Sequence, residues 1–325
     1  MCSHSVNAVN SYVTMQSNTP TIQGKVIRSA GAWYHVKGEN GLCYTCQLKG
    51  KLRFCMPEFI NAVVVGDEVV FAPEGTQAPG MIYEVIPRKN SLIRQDTHRK
   101  ACGKLLAANL DQAILVVTAV AAPTQLDFIN RFLVVTEASE IMPLLVFSKI
   151  DLLNTIQHEA LELIKRLYKK LGYVTLAVSV HAKKNVVAFG QALSGKVSLL
   201  SGHSGVGKST LVNTVAPAAN QAVATHAILS QKGQHTTTYT ALFEISPNTF
   251  VIDMPGIQTF IPYAIKKKTL SHYFPEMRSR AAACKFHNCT HQHEPACAVR
   301  QALASGDIAS SRYKSYQRLL VADNE

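Results

Sequence analysis

A long apolar segment is missing from this chain of 325 residues. Its longest apolar stretch, AILVVTAVAA at 113–122, is about half of the roughly 20 residues that a membrane-spanning helix needs. The first twenty residues also lack the basic start and the apolar core of a secretory signal peptide. We therefore expect a cytoplasmic protein without a membrane partner, and we expect a monomer.

Acidic residues are scarce. The 21 Asp and Glu face 33 Lys and Arg, which gives a formal net charge of +12. Such a surface suits a polyanionic partner, and nucleic acid is favoured, although positive charge also serves solubility alone. An apolar content of 47% is ordinary and excludes global disorder. The length suggests two or three domains.

Internal repeats are also absent from the sequence. The residue composition and the pattern of apolar residues change along the chain instead. Residues 1–20 are rich in Ser, Asn and Thr and predict a disordered tail. Residues 21–90 contain five short runs bounded by Gly, Pro, Asp and Asn, which predicts a small β-barrel such as the OB-fold. A different small barrel without a ligand is the alternative.

Two further regions of the sequence, residues 91–264 and 265–325, predict a multidomain α/β protein. Residues 91–264 alternate apolar strands with helices such as TIQHEALELIKRLYKKLG, which predicts a parallel sheet covered on both faces. Residues 265–325 hold a basic run, a cluster of Cys and His, and a helix at DIASSRYKSYQRLLVAD. We expect a third, metal-binding and helical module there.

The segment SGHSGVGKST at 201–210 matches G-x-x-x-x-G-K-[ST], the loop that cradles phosphates. It lies between a predicted strand and a predicted helix, where backbone N–H groups and the helix dipole bind anions. Lys208 would neutralise the β and γ phosphates, and Ser209 would ligate Mg²⁺. The predicted nucleotide-binding residues of this loop are Gly202, His203, Ser204, Gly205, Val206, Gly207, Lys208, Ser209 and Thr210.

Two later segments supply the second half of such a site. TFVIDMPG at 249–256 ends an apolar strand in Asp253, which can hold Mg²⁺ through water, and Gly256 can approach a γ-phosphate. In KGQHTTTYT at 232–240, a threonine hydroxyl can complete the coordination of Mg²⁺. We favour Thr237 as this ligand, and Thr236 and Thr238 stay as candidates. Alternatively, the three threonines only form part of a strand edge, since threonine is common in strands.

Base-reading segments come before the phosphate loop, although an ordinary GTPase has them after it. In FSKID at 147–151, Asp151 can accept two hydrogen bonds from the guanine edge, and Lys149 can cover the base and ribose. Ser148 and Ile150 complete this segment, and the loop from Ser179 in SVHA can offer N–H groups to the guanine oxygen. Loops at the carboxyl ends of a parallel sheet converge whatever their order along the chain, so a reordered GTPase domain is expected.

Cysteines are expected to be reduced, so a cluster of them indicates a metal site. CKFHNCTHQHEPAC at 284–297 offers three thiolates and an imidazole, a closed tetrahedral set for structural zinc. Spacing alone leaves His287, His291 and His293 as candidates. In CYTC at 43–46 the two cysteines point to opposite faces of a strand and are interpreted as barrel residues.

The order SKID, SVHA, GHSGVGKS, HTTT, DMPG and then a Cys/His cluster resembles the RsgA (YjeQ) family of circularly permuted GTPases. The resemblance covers nearly the whole chain. It implies an OB-fold, a permuted GTPase domain and a zinc module with the ligands Cys284, Cys289, His291 and Cys297. It also implies binding of GTP and GDP, a weak GTP hydrolysis that the small ribosomal subunit stimulates, and action on that subunit and its rRNA late in maturation.

Several positions depart from the pattern of that family. Ser148 stands where relatives usually have Asn, and Lys183 and Asn185 stand where they often have Gly. Ile257 follows DMPG, where many GTPases place a Gln that orients the attacking water. His235 is the best substitute in sequence, unless it is only a loop residue.

Basic segments at 48–53, 87–95, 98–100 and 266–268, with Arg312, Lys314 and Arg318, are candidate RNA contacts. Two other functions compete with a ribosome-associated GTPase. One is a non-catalytic RNA-binding protein with a degenerate nucleotide pocket. The other, an ATP-dependent kinase or ATPase, is disfavoured by Asp151.

Overall fold

The structure is a computed structural model that describes residues 20–50, 52, 59–73, 79–96, 102–118, 124–217, 240–253 and 262–322. The expected tail at 1–20 lies outside this range except for its last residue. None of the helices in the described ranges combines the length and the hydropathy that a membrane span requires.

The amino-terminal unit is a closed barrel of five strands in the order β1-β2-β3-β5-β4, with β4 returning to β1. Alternate side chains such as Val36, Phe71 and Ile82 fill its interior. Gly24 is required on β1, because a Cβ there would lie 2.7 Å from the Val36 side chain and 2.9 Å from the Phe71 ring. The OB-type barrel predicted from the sequence is therefore confirmed. Its strands are β1 Ile22–Ala30, β2 Trp33–Gly38, β3 Cys43–Leu48, β4 Glu68–Ala72 and β5 Gly80–Val85.

The CYTC segment behaves as the strand geometry predicts. Cys43 is exposed on β3, whereas Cys46 is fully buried in the barrel. Burial raises the pKa of the Cys46 thiol to about 11. This thiol is therefore a packing group and not a metal ligand.

The central unit is a sheet in the order β10-β9-β8-β11-β13-β12, and β12 pairs with β1 of the barrel so that one sheet of eleven strands joins the two units. All of its strands are parallel except β12, which is antiparallel to both neighbours. A separate hairpin of β6 and β7 lies between the units. These strands are β6 Ser91–Gln95, β7 Gly103–Ala108, β8 Gln112–Thr118, β9 Met142–Ser148, β10 Val174–Ala177, β11 Val197–Ser201, β12 Thr240–Ser246 and β13 Thr249–Asp253.

Helices cover both faces of this sheet, as the alternating texture predicts. Along β8, Leu115 and Val117 face the core under α1 and α2, whereas Ile114 and Val116 face α3 and α4. An Asn154–Gln157 capping box starts α2. The helices are α1 Thr124–Ala138, α2 Thr155–Lys170, α3 Val186–Leu193 and α4 Lys208–Val215.

The carboxyl-terminal module packs on α1 through its own apolar core, to which Val134 of α1 contributes. It begins with a 3₁₀ segment at Lys267–Tyr273. Three helices follow: α5 Pro275–Ala281, α6 Ala298–Ala304 and α7 Ser310–Ala322.

An ion pair is buried inside this module. Arg312 of α7 donates to both carboxylate oxygens of Glu276 of α5, at 2.6 and 3.2 Å, and the two side chains are 0% and 4% exposed. The guanidinium also lies 4.6 Å from the centre of the Phe274 ring. The expectation that Arg312 belongs to an RNA-binding face is therefore wrong, because a charge run on a helix does not reveal which of its members turns inward.

The same arginine ties the module to the central unit. Arg312 donates to the Asn130 side-chain oxygen on α1 at 3.0 Å, and Tyr168 of α2 donates to that oxygen at 2.9 Å. The Asn130 amide in turn donates to Ser315 of α7 at 2.9 Å. A continuous polar network thus joins α1, α2, α5 and α7.

We expect Arg312→Met to lower the free energy of unfolding by about 3–5 kcal/mol, since it leaves the Glu276 charge buried without its partner. Denaturant unfolding followed by fluorescence measures this change. Arg318→Gln is the control, because Arg318 is 63% exposed and its ion pair with Asp127 spans 3.6 Å; its cost should stay within about 0.5 kcal/mol. Equal costs for the two variants would contradict the interpretation.

Candidate functional site

The predicted site segments meet at one edge of the parallel sheet. β9, β10, β11 and β13 run in the same direction, so the loops that follow Ser148, Ala177, Ser201 and Asp253 leave from the same edge. The base-reading segments and the phosphate loop are therefore neighbours in space although their order along the chain is unusual.

The phosphate loop has the backbone that its glycines permit. Gly202 has φ 146°, and a Cβ there would overlap the carbonyl oxygen of Val116 at the end of β8. Gly205 and Gly207 have φ values of 78° and 97°, in the left-handed region. Helix α4 begins directly afterwards at Lys208, so its amino-terminal N–H groups face the space that the loop encloses.

Lys208 crosses the loop from within. Its ammonium group donates to the carbonyl oxygens of Gly202 at 2.7 Å and of His203 at 2.9 Å. Ser209 is half-buried in the first turn of α4, whereas Ser204 and Thr210 are exposed. This arrangement directs one positive charge at the mouth of the loop.

The first base-reading segment holds the other half of the loop. The buried Ser148 hydroxyl lies 2.7 Å from the carbonyl oxygen of Val206 and 3.1 Å from that of Val117. Lys149, with φ 58°, donates to the Gly205 carbonyl at 2.7 Å. Because a trans peptide places its N–H opposite its C=O, these contacts turn the following N–H groups toward the inside of the loop. Ser148 therefore supports the loop through its single hydroxyl.

The second base-reading segment orients Asp151. The Ser179 hydroxyl donates to an Asp151 carboxylate oxygen at 2.5 Å and accepts from the N–H of Ala182 at 2.9 Å. The hydrogen bond from Ser179, followed by that from the Asp151 backbone N–H and by the charges of His181 and Lys149, lowers the pKa of Asp151. Asp151 is therefore an ionised acceptor at neutral pH, and its partner is fully buried.

A cavity of about 430 Å³ lies between these two segments and the phosphate loop. Most of its wall is apolar, and Asp151, Lys149 and Thr210 provide polar groups at its rim. Ile150 is buried behind it. A flat aromatic group with hydrogen-bond donors at one edge suits such a cavity. Its apolar wall is formed by Leu152, Val178, Val180, Val206 and Leu211.

Lys183 and Asn185 both adopt the left-handed conformation that glycine favours, with φ values of 51° and 57°. The Asn185 side chain offsets part of the strain, because it donates to the Ala177 carbonyl at 2.7 Å. Lys183 is exposed, and among the described contacts its side chain makes none that would compensate.

Several predicted residues lie outside the described part of the chain. His235 and Thr237 belong to residues 218–239, and Gly256 and Ile257 belong to residues 254–261. Asp253 is described through its backbone, which pairs with Leu200 at the end of β13. The roles of these residues remain predictions.

The Cys/His cluster is assembled as the sequence predicts. The ligand atoms of Cys284, Cys289, His291 and Cys297 all lie within 4.8 Å of one another. His291 Nδ1 is 3.6 Å from the Cys284 sulfur and 3.4 Å from the Cys297 sulfur, and these two sulfurs are 3.9 Å apart. A tetrahedral zinc ion separates its sulfur and nitrogen ligands by roughly 3.5–3.8 Å, so the donor set fits zinc. His291 is therefore preferred over its two neighbours on geometry.

The neutral thiol is the favoured form of Cys289 in the absence of a nearby cation. Burial, with the neighbouring thiols Cys297 and Cys284, raises the pKa of Cys289 to about 12. A thiolate forms there at neutral pH only when a positive charge offsets this cost.

Three groups that the sequence analysis missed hold the loop that carries the Cys/His cluster. Tyr313 and Tyr316 of α7 donate to the carbonyl oxygens of His291 and Thr290 at 2.6 and 2.7 Å. The Glu294 carboxylate accepts four hydrogen bonds, from the hydroxyl and N–H of Thr290 and from two further N–H groups. Burial opposes ionisation, yet these bonds lower the pKa of Glu294 to about 2. A Tyr-x-x-Tyr spacing on a helix was the available signal for the two tyrosines.

The candidate RNA contacts are only partly accessible. Arg88 is committed to the buried Asp67, at 2.7 Å, and Lys89 pairs with Asp111 at 2.7 Å. Lys314 is exposed on α7, and Lys266 and Lys268 are exposed beside the 3₁₀ segment. Residues 98–100 lie outside the described range. The basic segments therefore mix structural and solvent-facing charges.

The sheet, the phosphate loop and the converging base-reading loops define a P-loop nucleotide-binding protein of permuted chain order. The family model "RsgA GTPase" matches residues 85–261, which is more than half of the chain, and "RsgA N-terminal domain" matches residues 23–82. The chain belongs to the RsgA GTPase family.

Individual relatives agree with this assignment. The chain is 39% identical over 306 residues to a Christiangramia forsetii protein, covering 94% of this chain and 97% of that one. It is 40% identical over 301 residues to a Bacteroides thetaiotaomicron protein, covering 92% and 96%. These relatives carry the names "Small ribosomal subunit biogenesis GTPase RsgA" and "RsgA 2".

Solved structures give the same result. The crystal structure of YjeQ from Thermotoga maritima superposes with a TM-score of 0.72 at 30% identity, covering 93% of this chain and 98% of that one. The structure of YloQ, described as a circularly permuted GTPase, has a TM-score of 0.68 at 24% identity, covering 96% and 99%, and supports the fold.

We expect Lys183→Gly to raise the free energy of unfolding by about 0.5–1 kcal/mol, because it relieves the left-handed strain and loses only part of that gain to the entropy of the unfolded chain. Thermal unfolding measures the change. Lys184→Gly is the matched control, since the neighbouring exposed lysine is not among the residues with positive φ and should lose stability. A loss of stability in both variants would show that the Lys183 side chain makes a compensating contact.

Proposed function

We propose that this chain is a Mg²⁺-dependent GTPase that binds the small ribosomal subunit and its rRNA and assists late maturation of the subunit. Hydrolysis is stimulated by the subunit and is linked to release of the factor. The observation that carries the proposal is the cavity shared by the ionised Asp151 and the phosphate loop. The printed names of the relatives support the choice of subunit.

Selection of guanine follows from the chemistry of the cavity. Asp151 offers two acceptor oxygens, which match the N1–H and N2–H₂ donors of guanine, and adenine presents no such pair. Ser179 orients the carboxylate through its hydroxyl, and its loop supplies N–H groups for the guanine oxygen. Lys149 packs along the base and ribose while its ammonium group stays on the Gly205 carbonyl.

Phosphate binding and charge neutralisation fall to the loop and Lys208. The N–H groups of residues 204–208 surround the β-phosphate, and the Lys208 ammonium group faces the β and γ phosphates. Ser209, Thr237 and Asp253 are the residues that would hold Mg²⁺, directly or through water. When bound, that ion neutralises charge on the phosphate oxygens.

A low unassisted rate follows from the residue after DMPG. Ile257 has no group that can orient a water molecule, and His235, beside the threonines at 236–238, is the best substitute in the sequence. We propose that binding to the subunit brings His235 to the attacking water. Loss of the γ-phosphate then frees Thr237 and Gly256, which weakens docking.

The carboxyl-terminal cluster is proposed as a structural zinc site. Four protein ligands leave no open position for chemistry, so the ion would hold the loop at 284–297 in the shape that α7 receives. The net charge of +12 and the barrel support rRNA as the partner. A cytoplasmic monomer is consistent with this role.

The decisive experiment is steady-state GTP hydrolysis with Mg²⁺, alone and with purified small subunits, with large subunits as the control. We expect stimulation by more than about tenfold with small subunits only. GTP binding without any stimulation would contradict the subunit role. Absence of both binding and hydrolysis would favour a non-catalytic RNA-binding protein.

Asp151→Asn is the matched variant for base selection in the same assay, because it keeps the shape of the side chain and exchanges one acceptor for a donor. Competition of ATP and GTP for the site should lose its preference for GTP. An unchanged preference for GTP would show that Asp151 does not select the base.

We expect purified protein to contain about one zinc ion per chain and Cys289→Ser to lose it, together with the order of the carboxyl-terminal module. Metal analysis by mass spectrometry and thermal unfolding measure both effects. Cys43→Ser is the control, since Cys43 is exposed on the barrel and belongs to no metal cluster of the described residues. Full zinc content in Cys289→Ser would refute the ligand set.

A further inference from the structure

The amino end of the phosphate loop rests on an aromatic ring of α1. The rings of Phe128 and His203 have centres 4.3 Å apart and planes inclined by 31°, a stacked contact. Phe128 is 7% exposed and belongs to the core between α1 and the sheet. The half-buried His203 is therefore held against a fixed platform.

The backbone of His203 in turn determines where Lys208 points. Lys208 donates to the carbonyl oxygens of Gly202 and His203 at 2.7 and 2.9 Å. Ser148 and Lys149 hold the far half of the loop by its carbonyls at residues 206 and 205. The His203 stack is the corresponding side-chain contact on the near half.

We propose that Phe128 is a positioning residue for phosphate transfer, which acts through His203 to aim Lys208. The proposal rests on the function proposed above. In this role the imidazole serves as a flat ring and neither exchanges a proton nor contacts the phosphates. Interactions of Lys208 with the phosphates strengthen as charge develops in the transition state, so a misaimed lysine lowers kcat more than it raises KM.

Hydrolysis of GTP by the full-length protein, with and without small subunits, tests this role. We expect Phe128→Leu and His203→Ala each to lower kcat by about tenfold and to change KM by less than about threefold. The double variant should be no slower than either single variant, because both remove one contact. His203→Phe keeps a ring against Phe128 and should restore most of the kcat that His203→Ala loses, with the same pH profile as His203→Ala.

Phe132→Leu is the matched control. Phe132 lies one turn further along α1, is fully buried in the same core and is 0% exposed. The same chemical change there should lower thermal stability and leave kcat unchanged. Should Phe128→Leu fail to fold, the His203→Ala and His203→Phe pair decides the question, since His203 lies in a loop.

Three results would overturn the proposal. Equal loss of kcat in Phe128→Leu and Phe132→Leu would indicate a general weakening of α1. A loss in His203→Phe as large as in His203→Ala, or a shifted pH profile, would show that the imidazole itself acts on the substrate. A normal kcat in Phe128→Leu, measured beside an active wild type, would refute the positioning role of Phe128 and leave the proposed function intact. An inactive wild type would refute the proposed function as well.

Discussion

Parallel pairing around β11 is the constraint on which the rest of the site depends. β11 pairs with β8 on one side and with β13 on the other, and β9 and β10 continue the same direction. Hydrogen-bond registers, and not chain order, therefore bring the base-reading and phosphate-binding loops to one edge. Moving the chain ends leaves these registers intact, which frees one terminus for the barrel and the other for the Cys/His module.

The phosphate loop is held largely by its carbonyl oxygens. Ser148, Lys149 and Lys208 together contact the carbonyls of residues 202, 203, 205 and 206. Polar groups that occupy the acceptors leave the donors of the same peptide planes for an anion. The base-reading loop is thus also a structural support of the phosphate loop, in which the single hydroxyl of Ser148 contacts the carbonyl oxygens of Val117 and Val206.

Much of the fold and the site was predictable because the signals are local. The barrel strands, the alternating sheet and the phosphate loop follow from short-range patterns of polarity and glycine, and the Cys/His cluster follows from spacing together with the family resemblance. The burial of Arg312 was not predictable. The sequence around Arg312, Lys314 and Arg318 is typical of a solvent-exposed basic face, and the partners that bury Arg312, Glu276 and Asn130, are distant in sequence. The contact between Phe128 and His203 was not predictable for the same reason, since it joins residues 75 positions apart in sequence.

Helix α1 is the element that the phosphate loop and the carboxyl-terminal module share. Within one turn, Phe128 stacks on His203 while Asp127 and Asn130 contact Arg318 and Arg312 of α7. The same α7 holds the loop of the Cys/His cluster through its two tyrosines, Tyr313 and Tyr316.

Helix α1 is packed against the sheet as one rigid element. A shift of α1 that alters its contacts with α7 therefore also alters its contact with His203. If a partner of the module displaces α7 and thereby changes the affinity of the loop for an anion, the anion must change the affinity for that partner by the same factor. The buried network at Arg312 opposes such a displacement, because separating α7 from α5 would leave the charges of Arg312 and Glu276 buried without their partners.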